Sequence, residues 1–264
     1  MTAVPIPAVR KKEQKNPETG KLESNGNSSY VIYNAGTMTI AGGEVIGTSG
    51  YSSLVCNGSN KEAGVMTISG GKLSQPSYNA LINYPMSTLT ITGSADIAGD
   101  PNSSAATFYG TVTMTGGSIR DGEILIAPAY TDTNVTITGG TIACTNLKMA
   151  SFTDQTTWNG SGRLDISGNT QVTGTIVTGT TLSSNMTGAF VPDAQVNAGR
   201  NTVVISGGTF SQDVTDYLAD GYEVEQDGNG MFAVQDASIA PAPDPPPPPA
   251  PPPPPEPGPA PPPG

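Results

Sequence analysis

Apolar and polar residues alternate in a short phrase that recurs along this chain. In Thr111-Val112-Thr113-Met114-Thr115-Gly116-Gly117-Ser118-Ile119 every second residue is apolar until a glycine pair intervenes. Thr37-Met38-Thr39-Ile40-Ala41-Gly42-Gly43 and Thr202-Val203-Val204-Ile205-Ser206-Gly207-Gly208 repeat the phrase nearer the two ends. Period two predicts a strand with Val112 and Met114 on one face and Thr113 and Thr115 on the other. The glycines predict a corner, because they tolerate positive φ and close backbone approach. Gly168-Asn169 and Gly93-Ser94 vary it; Asn is expected to tolerate the turn, and Ser94 marks an altered corner.

The second apolar residue of each phrase falls at Ile40, Ile68, Ile91, Met114, Ile137, Ile166 and Ile205, with intervals of 28, 23, 23, 23, 29 and 39. Equal intervals in the middle predict a solenoid in which each repeat is one level of a stack. A second apolar segment lies between phrases, as at Leu54-Val55-Cys56, Leu81-Ile82 and Ile124-Leu125-Ile126. A third contact follows each glycine corner, at Val45, Leu73, Ile97, Ile119, Ile142, Val172 and Phe210. Two or three short strands per coil predict an all-β, right-handed parallel β-helix of about seven rungs on a 23-residue core period. Stacked strands sit about 4.8 Å apart, so the body should be roughly 29 Å tall. A leucine-rich repeat would need regular Leu, and a propeller blade roughly 40–45 residues.

The chain divides into three parts. Residues 1–28 are polar, basic and broken by Pro5, Pro7, Pro17 and Gly20, and are expected to form a loose arm. Residues 29–235 carry the β-helix, closed by a cap over 209–235. In that cap Ser211 is expected to start a short helix over 213–218, which Gly221 ends. A hairpin should follow around Asp227-Gly228-Asn229-Gly230. Residues 171–200 fill the longest interval and are read as extra strands or one decorated coil. Residues 236–264 form a proline-rich stalk, with 17 prolines among the 24 residues from Pro241. Such a stretch makes neither helix nor sheet and is expected to be a polyproline II spacer of up to about 74 Å. No secretory leader and no membrane span is read in the sequence.

Composition narrows the chemistry. The chain has no His, which excludes Ser-His-Asp and Cys-His nucleophile systems and His-ligated metals. Cys56 and Cys144 lie in different repeats beside apolar strands and are read as small buried hydrophobes. The net charge is −11, and after residue 24 there are 6 basic and 19 acidic side chains, so nucleic acid is not an expected partner.

The outward threonines are the candidate site. Thr39, Thr67, Thr90, Thr113 and Thr136 should form one vertical line, and Ala41, Ser69, Thr92, Thr115 and Thr138 a second. Thr37, Thr88 and Thr111 add part of a third, and Asp165 and Val204 break the pattern. This uncharged surface is read as exposed strand packing, as a face for an extended polysaccharide, or as an ice-binding-like face. The rival class is a pectin-lyase-like enzyme, which needs clustered acids. Asp96, Asp100, Asp121, Glu123 and Asp132 are scattered, with no repeating register. Tyr33, Tyr51, Tyr78, Tyr84, Phe108, Tyr109 and Tyr130 fall near strand ends, where edge packing or sugar stacking is expected.

Thr88-Leu89-Thr90-Ile91-Thr92-Gly93 and Asn134-Val135-Thr136-Ile137-Thr138-Gly139-Gly140 resemble the repeats of bacterial cell-surface parallel β-helix proteins of the gut Firmicutes type. The closing segment from Gly207 to Tyr222 resembles the recurring last repeat of those proteins. The resemblance covers about residues 30–235 and implies a secreted or wall-attached, adhesin-like protein, often with a proline-rich stalk. Some relatives of this shape bind plant polysaccharides with calcium through paired-Asp repeats. Those repeats are absent here, so no cofactor is expected and calcium is not indicated. The expectation is a non-enzymatic extracellular protein that contacts polysaccharide or a partner cell's glycan; a structural spacer is the remaining alternative.

Overall fold

The computed structural model describes residues 13–16, 20–24, 30–48, 53–129, 131–152, 160–181, 190–192 and 200–238. The proline-rich stalk, most of the basic arm, Tyr51 and Tyr130 lie outside the described residues.

The chain is all-β, and its strands stack in three parallel columns, consistent with a β-solenoid. The recurring phrase forms the first column. Met38, Met66, Leu89, Val112, Val135, Leu164 and Val203 pair in register from one level to the next. Ile40, Ile68, Ile91, Met114, Ile137, Ile166 and Ile205 do the same two residues on. The contact after each glycine corner builds the second column, from Leu22 and Val45 up to Val172 and Phe210. The segment between phrases builds the third, from Ile32 and Val55 up to Leu147 and Ile176. Inward side chains of all three columns meet in one apolar core. Period two in the sequence thus becomes a continuous column of like residues, each covered by its neighbours above and below.

The third column is covered on both faces. Its outward Cys56, Ile82 and Leu125 are buried, and Tyr109 and Phe190 pack over Leu125, Ala127 and Ala150. Tyr84 and Tyr109 lie with ring centroids 6.1 Å apart, in the edge-packing role. Cys56 and Cys144 are buried free thiols.

Two of the three corners differ in kind. The one from first to second column keeps at least one glycine at every level. Gly117 takes φ +80°, and a Cβ there would lie 2.7 Å from the Ala95 carbonyl oxygen. At Gly93-Ser94 and Gly168-Asn169 the positive φ moves back one residue, to Gly93 at +61° and Gly168 at +65°. Asn169 therefore does not carry the left-handed turn expected of it; the glycine before it does. The corner from third to first column varies in length: two residues lie between Asn34 and Thr37, and seven between Asn57 and Val65.

The ends are unlike. Within the stretch expected to be a loose arm, Glu13–Asn16 and Lys21–Ser24 pair antiparallel, and the second joins the sheet through Leu22 and Val45. Ile32, Met38 and Ile40 at this end are only partly buried, whereas Met66 and Ile68 one level up are 1% and 0% exposed. Within residues 171–200, the strand Gln171–Thr181 turns antiparallel to Phe190–Pro192 at its close. At the far end the hairpin Tyr222–Gln226 with Phe232–Asp236 pairs onto Gly208–Phe210. Asp227 holds its turn by accepting the Asn229 and Met231 amides at 2.8 and 2.9 Å.

The helix expected in the cap is absent. Residues 213–218 contain only a 3₁₀ turn, Thr215–Tyr217. Six residues are too few to offset helix nucleation without strong capping. Ser211 is engaged elsewhere, accepting the Gly174 amide at 3.1 Å. Asp213 instead accepts both the amide and the hydroxyl of Thr215 in a local turn. Leu218 then bridges to Ile205 as a short extension of the first column.

Candidate functional site: the threonine face

The outward side of the first column carries the predicted site. Thr39, Thr67, Thr90, Thr113 and Thr136 are direct register partners across five levels. Thr39 is exposed and the other four are half-buried. Among the described residues, none of these five hydroxyls makes a hydrogen bond to the protein. Thr37, Val65, Thr88 and Thr111 form a second registered line beside them, all exposed.

The line through Ser69, Thr92, Thr115 and Thr138 is less regular. It lies where each strand enters its glycine corner, and there the pairing slips, so that Ala41 opposes Gly70 and Thr115 opposes Gly139. Thr115 nevertheless donates its hydroxyl to that of Thr92 at 2.9 Å. Ser69 and Thr92 are half-buried, and Thr115 and Thr138 exposed.

Charge is held off this face. At the sixth level Arg163 grips Asp165 with two hydrogen bonds of 2.7 and 2.6 Å, so the threonine line ends on an ion pair. Other charges gather on the second column. Lys21, Glu44, Lys72 and Asp96 are successive register partners of alternating sign. Arg120 then clasps Asp96 through two bonds of 2.9 and 3.0 Å. Those bonds hold the Asp96 carboxyl below the usual carboxylate range despite its partial burial.

Of the candidate acids, Asp96 and Asp121 meet on one cation, Arg120, and the others are engaged separately. Glu123 faces Lys148 at 3.5 Å, Asp100 accepts the Asn102 amide, and Asp132 accepts the Ser161 amide. Among the described residues no group of three or more Asp, Glu, Cys or His side chains is placed to hold a metal ion. The threonine face offers hydroxyl donors and acceptors beside methyl groups, with no titrating group within it.

One supporting element was not anticipated from the sequence. Asn34, Asn57 and Asn83 form a buried ladder at the corner entering the first column. Asn34 Nδ2 donates to Asn57 Oδ1, and Asn57 Nδ2 to Asn83 Oδ1, both at 2.8 Å. Each also donates to a carbonyl of the first-column strand one level up: Val65, Thr88 and Thr111. The ladder fixes where these strands begin, and so the register of the threonines. Its signal was an Asn closing each of the first three third-column strands, in Ile32-Tyr33-Asn34, Val55-Cys56-Asn57 and Leu81-Ile82-Asn83.

No protein-family model matches the chain, and no significant similarity to a curated protein or a solved structure was found.

Proposed function

We propose that the chain is a right-handed parallel β-helix displayed outside a bacterial cell, where its threonine face contacts glycan in adhesion. Right-handedness follows the strong bias of parallel crossover connections. The observation that carries the functional reading is the registered line Thr39–Thr67–Thr90–Thr113–Thr136, whose hydroxyls make no hydrogen bond among the described residues and reach solvent. Sugar hydroxyls are natural partners for such a line, since each threonine both donates and accepts. The proline-rich stretch after residue 236 suits a spacer that holds the face away from its attachment. Asp96 and Asp121 meet only as ion-pair partners of Arg120, and Asp100, Glu123 and Asp132 are engaged elsewhere; this speaks against the pectin-lyase-like alternative, which requires an acid, a base or a metal at one place.

A glycan array with and without calcium, run beside a polygalacturonate cleavage assay, tests this. Binding without cleavage is expected, and it should be insensitive to calcium. Cleavage would overturn the reading in favour of the enzyme; silence in both assays would favour a structural spacer.

A further inference from the structure

We infer that the threonine face recognises the ordered, uncharged surface of an insoluble polysaccharide and not a single dissolved chain. This rests on the glycan reading above.

Relief is the first ground. The outward positions of residues 37–41, 65–69, 88–92, 111–115 and 134–138 hold only Thr, Ser, Ala, Val and Asn. No long side chain rises from the face to wrap a ligand. A low face touches one side of whatever lies on it. A flexible chain loses conformational freedom on adsorbing there, and one-sided contacts offset that loss poorly. A chain already fixed in a solid has little left to lose.

Repetition is the second. Register places threonines at one strand spacing, about 4.8 Å, along the stack, and two residues, about 6.7 Å, along each strand. Thr88 and Thr90 sit directly below Thr111 and Thr113. Identical weak contacts at many lattice points add up only against a partner that is itself periodic in both directions, where each contact makes the next effectively intramolecular.

Charge is the third. The face has no charged residue over five levels, while the chain as a whole carries −11. A polyanionic polymer such as a polyuronate would meet repulsion from the body and no base on the face. A neutral polymer meets neither obstacle.

The test is co-sedimentation of the full chain with crystalline β-glucan, with crystalline chitin, and with the same polymers swollen to the amorphous form. Titration calorimetry with the soluble oligosaccharides runs alongside. Retention on at least one crystalline polymer is expected, with about tenfold less on its swollen form and no heat from the oligosaccharides, each tenfold being about 1.4 kcal/mol. Thr90→Lys with Thr113→Lys should abolish retention while circular dichroism stays unchanged. Thr90→Val with Thr113→Val keeps the shape, removes two hydroxyls, and should weaken retention. Equal binding of soluble and crystalline forms would overturn the surface inference and leave the glycan reading standing. Absence of binding to any polysaccharide, here and on the array, would overturn both. Inhibition of ice growth without polysaccharide retention would assign the face to ordered water and likewise overturn both.

Discussion

Asn57 donates its side-chain amide to Asn83 Oδ1 at 2.8 Å and to the Thr88 carbonyl at 2.9 Å, tying one level of the stack to the strand above it. It also donates to the Gly64 carbonyl at 3.2 Å and accepts from Asn34. Asn57→Leu would leave several buried acceptors without donors, at about 1–3 kcal/mol each. We expect a loss of about 3 kcal/mol or more in urea unfolding. Asn134→Ala, on the exposed face, should change stability by less than about 0.5 kcal/mol. Equal effects of the two would remove the ladder's structural role.

The glycine corners predict a paired result. Gly117→Ala places a Cβ against the Ala95 carbonyl in a backbone region that side chains rarely adopt, and should lower stability by about 2 kcal/mol. Gly42, one residue before the equivalent corner glycine, has open space around it, and Gly42→Ala should be nearly neutral. Thermal unfolding of the two variants checks whether conformation or mere position in the glycine pair matters.

Alkaline pH should destabilise the fold. Burial raises the Cys144 thiol from 9.0 to about 12 and the Tyr109 phenol from 10.0 to about 12. Both groups keep their protons in the folded chain after the unfolded chain has lost them. Their contribution is therefore complete below about pH 9 and declines towards pH 12, at up to about 1.4 kcal/mol per pH unit for each group. Cys56 is shifted in the same direction by the same cause. Urea midpoints measured across this window should fall, and less steeply in Cys144→Ala. A flat profile would contradict the burial of these groups.

Thr90→Lys with Thr113→Lys should separate stability from recognition. Both residues are half-buried at the surface and their hydroxyls make no hydrogen bond among the described residues, so each change should stay within about 0.5 kcal/mol of neutral. A much larger loss in urea unfolding would return the threonines to the role of strand packing.

Much of the stack was legible because its signals are local and repeated. The interval of 23 residues by itself sets Leu89, Val112 and Val135 in register, and the strand pairing agrees. The threonine line through Thr90, Thr113 and Thr136 followed from the same arithmetic. The cap helix failed because Ser211 and Asp213 have competing partners, and a capping residue's choice between a helix and a neighbouring coil is a tertiary matter. The slip at Ala41 and Thr115 escaped for a related reason: alternation says where a strand points, not where its corner begins to turn. The asparagine ladder was missed because the spacings from Asn34 to Asn57 and Asn83 differ, and only the pairing shows that they meet.

The unequal corners have a consequence for how this scaffold could change. Insertions between the third and first columns alter neither the strand pairing nor the core, as the segment from Gly58 to Gly64 already shows beside the shorter link at the level below. That corner borders the threonine face along its length. Foreign segments grafted at this corner would thus be presented beside the threonine face without altering the paired strands.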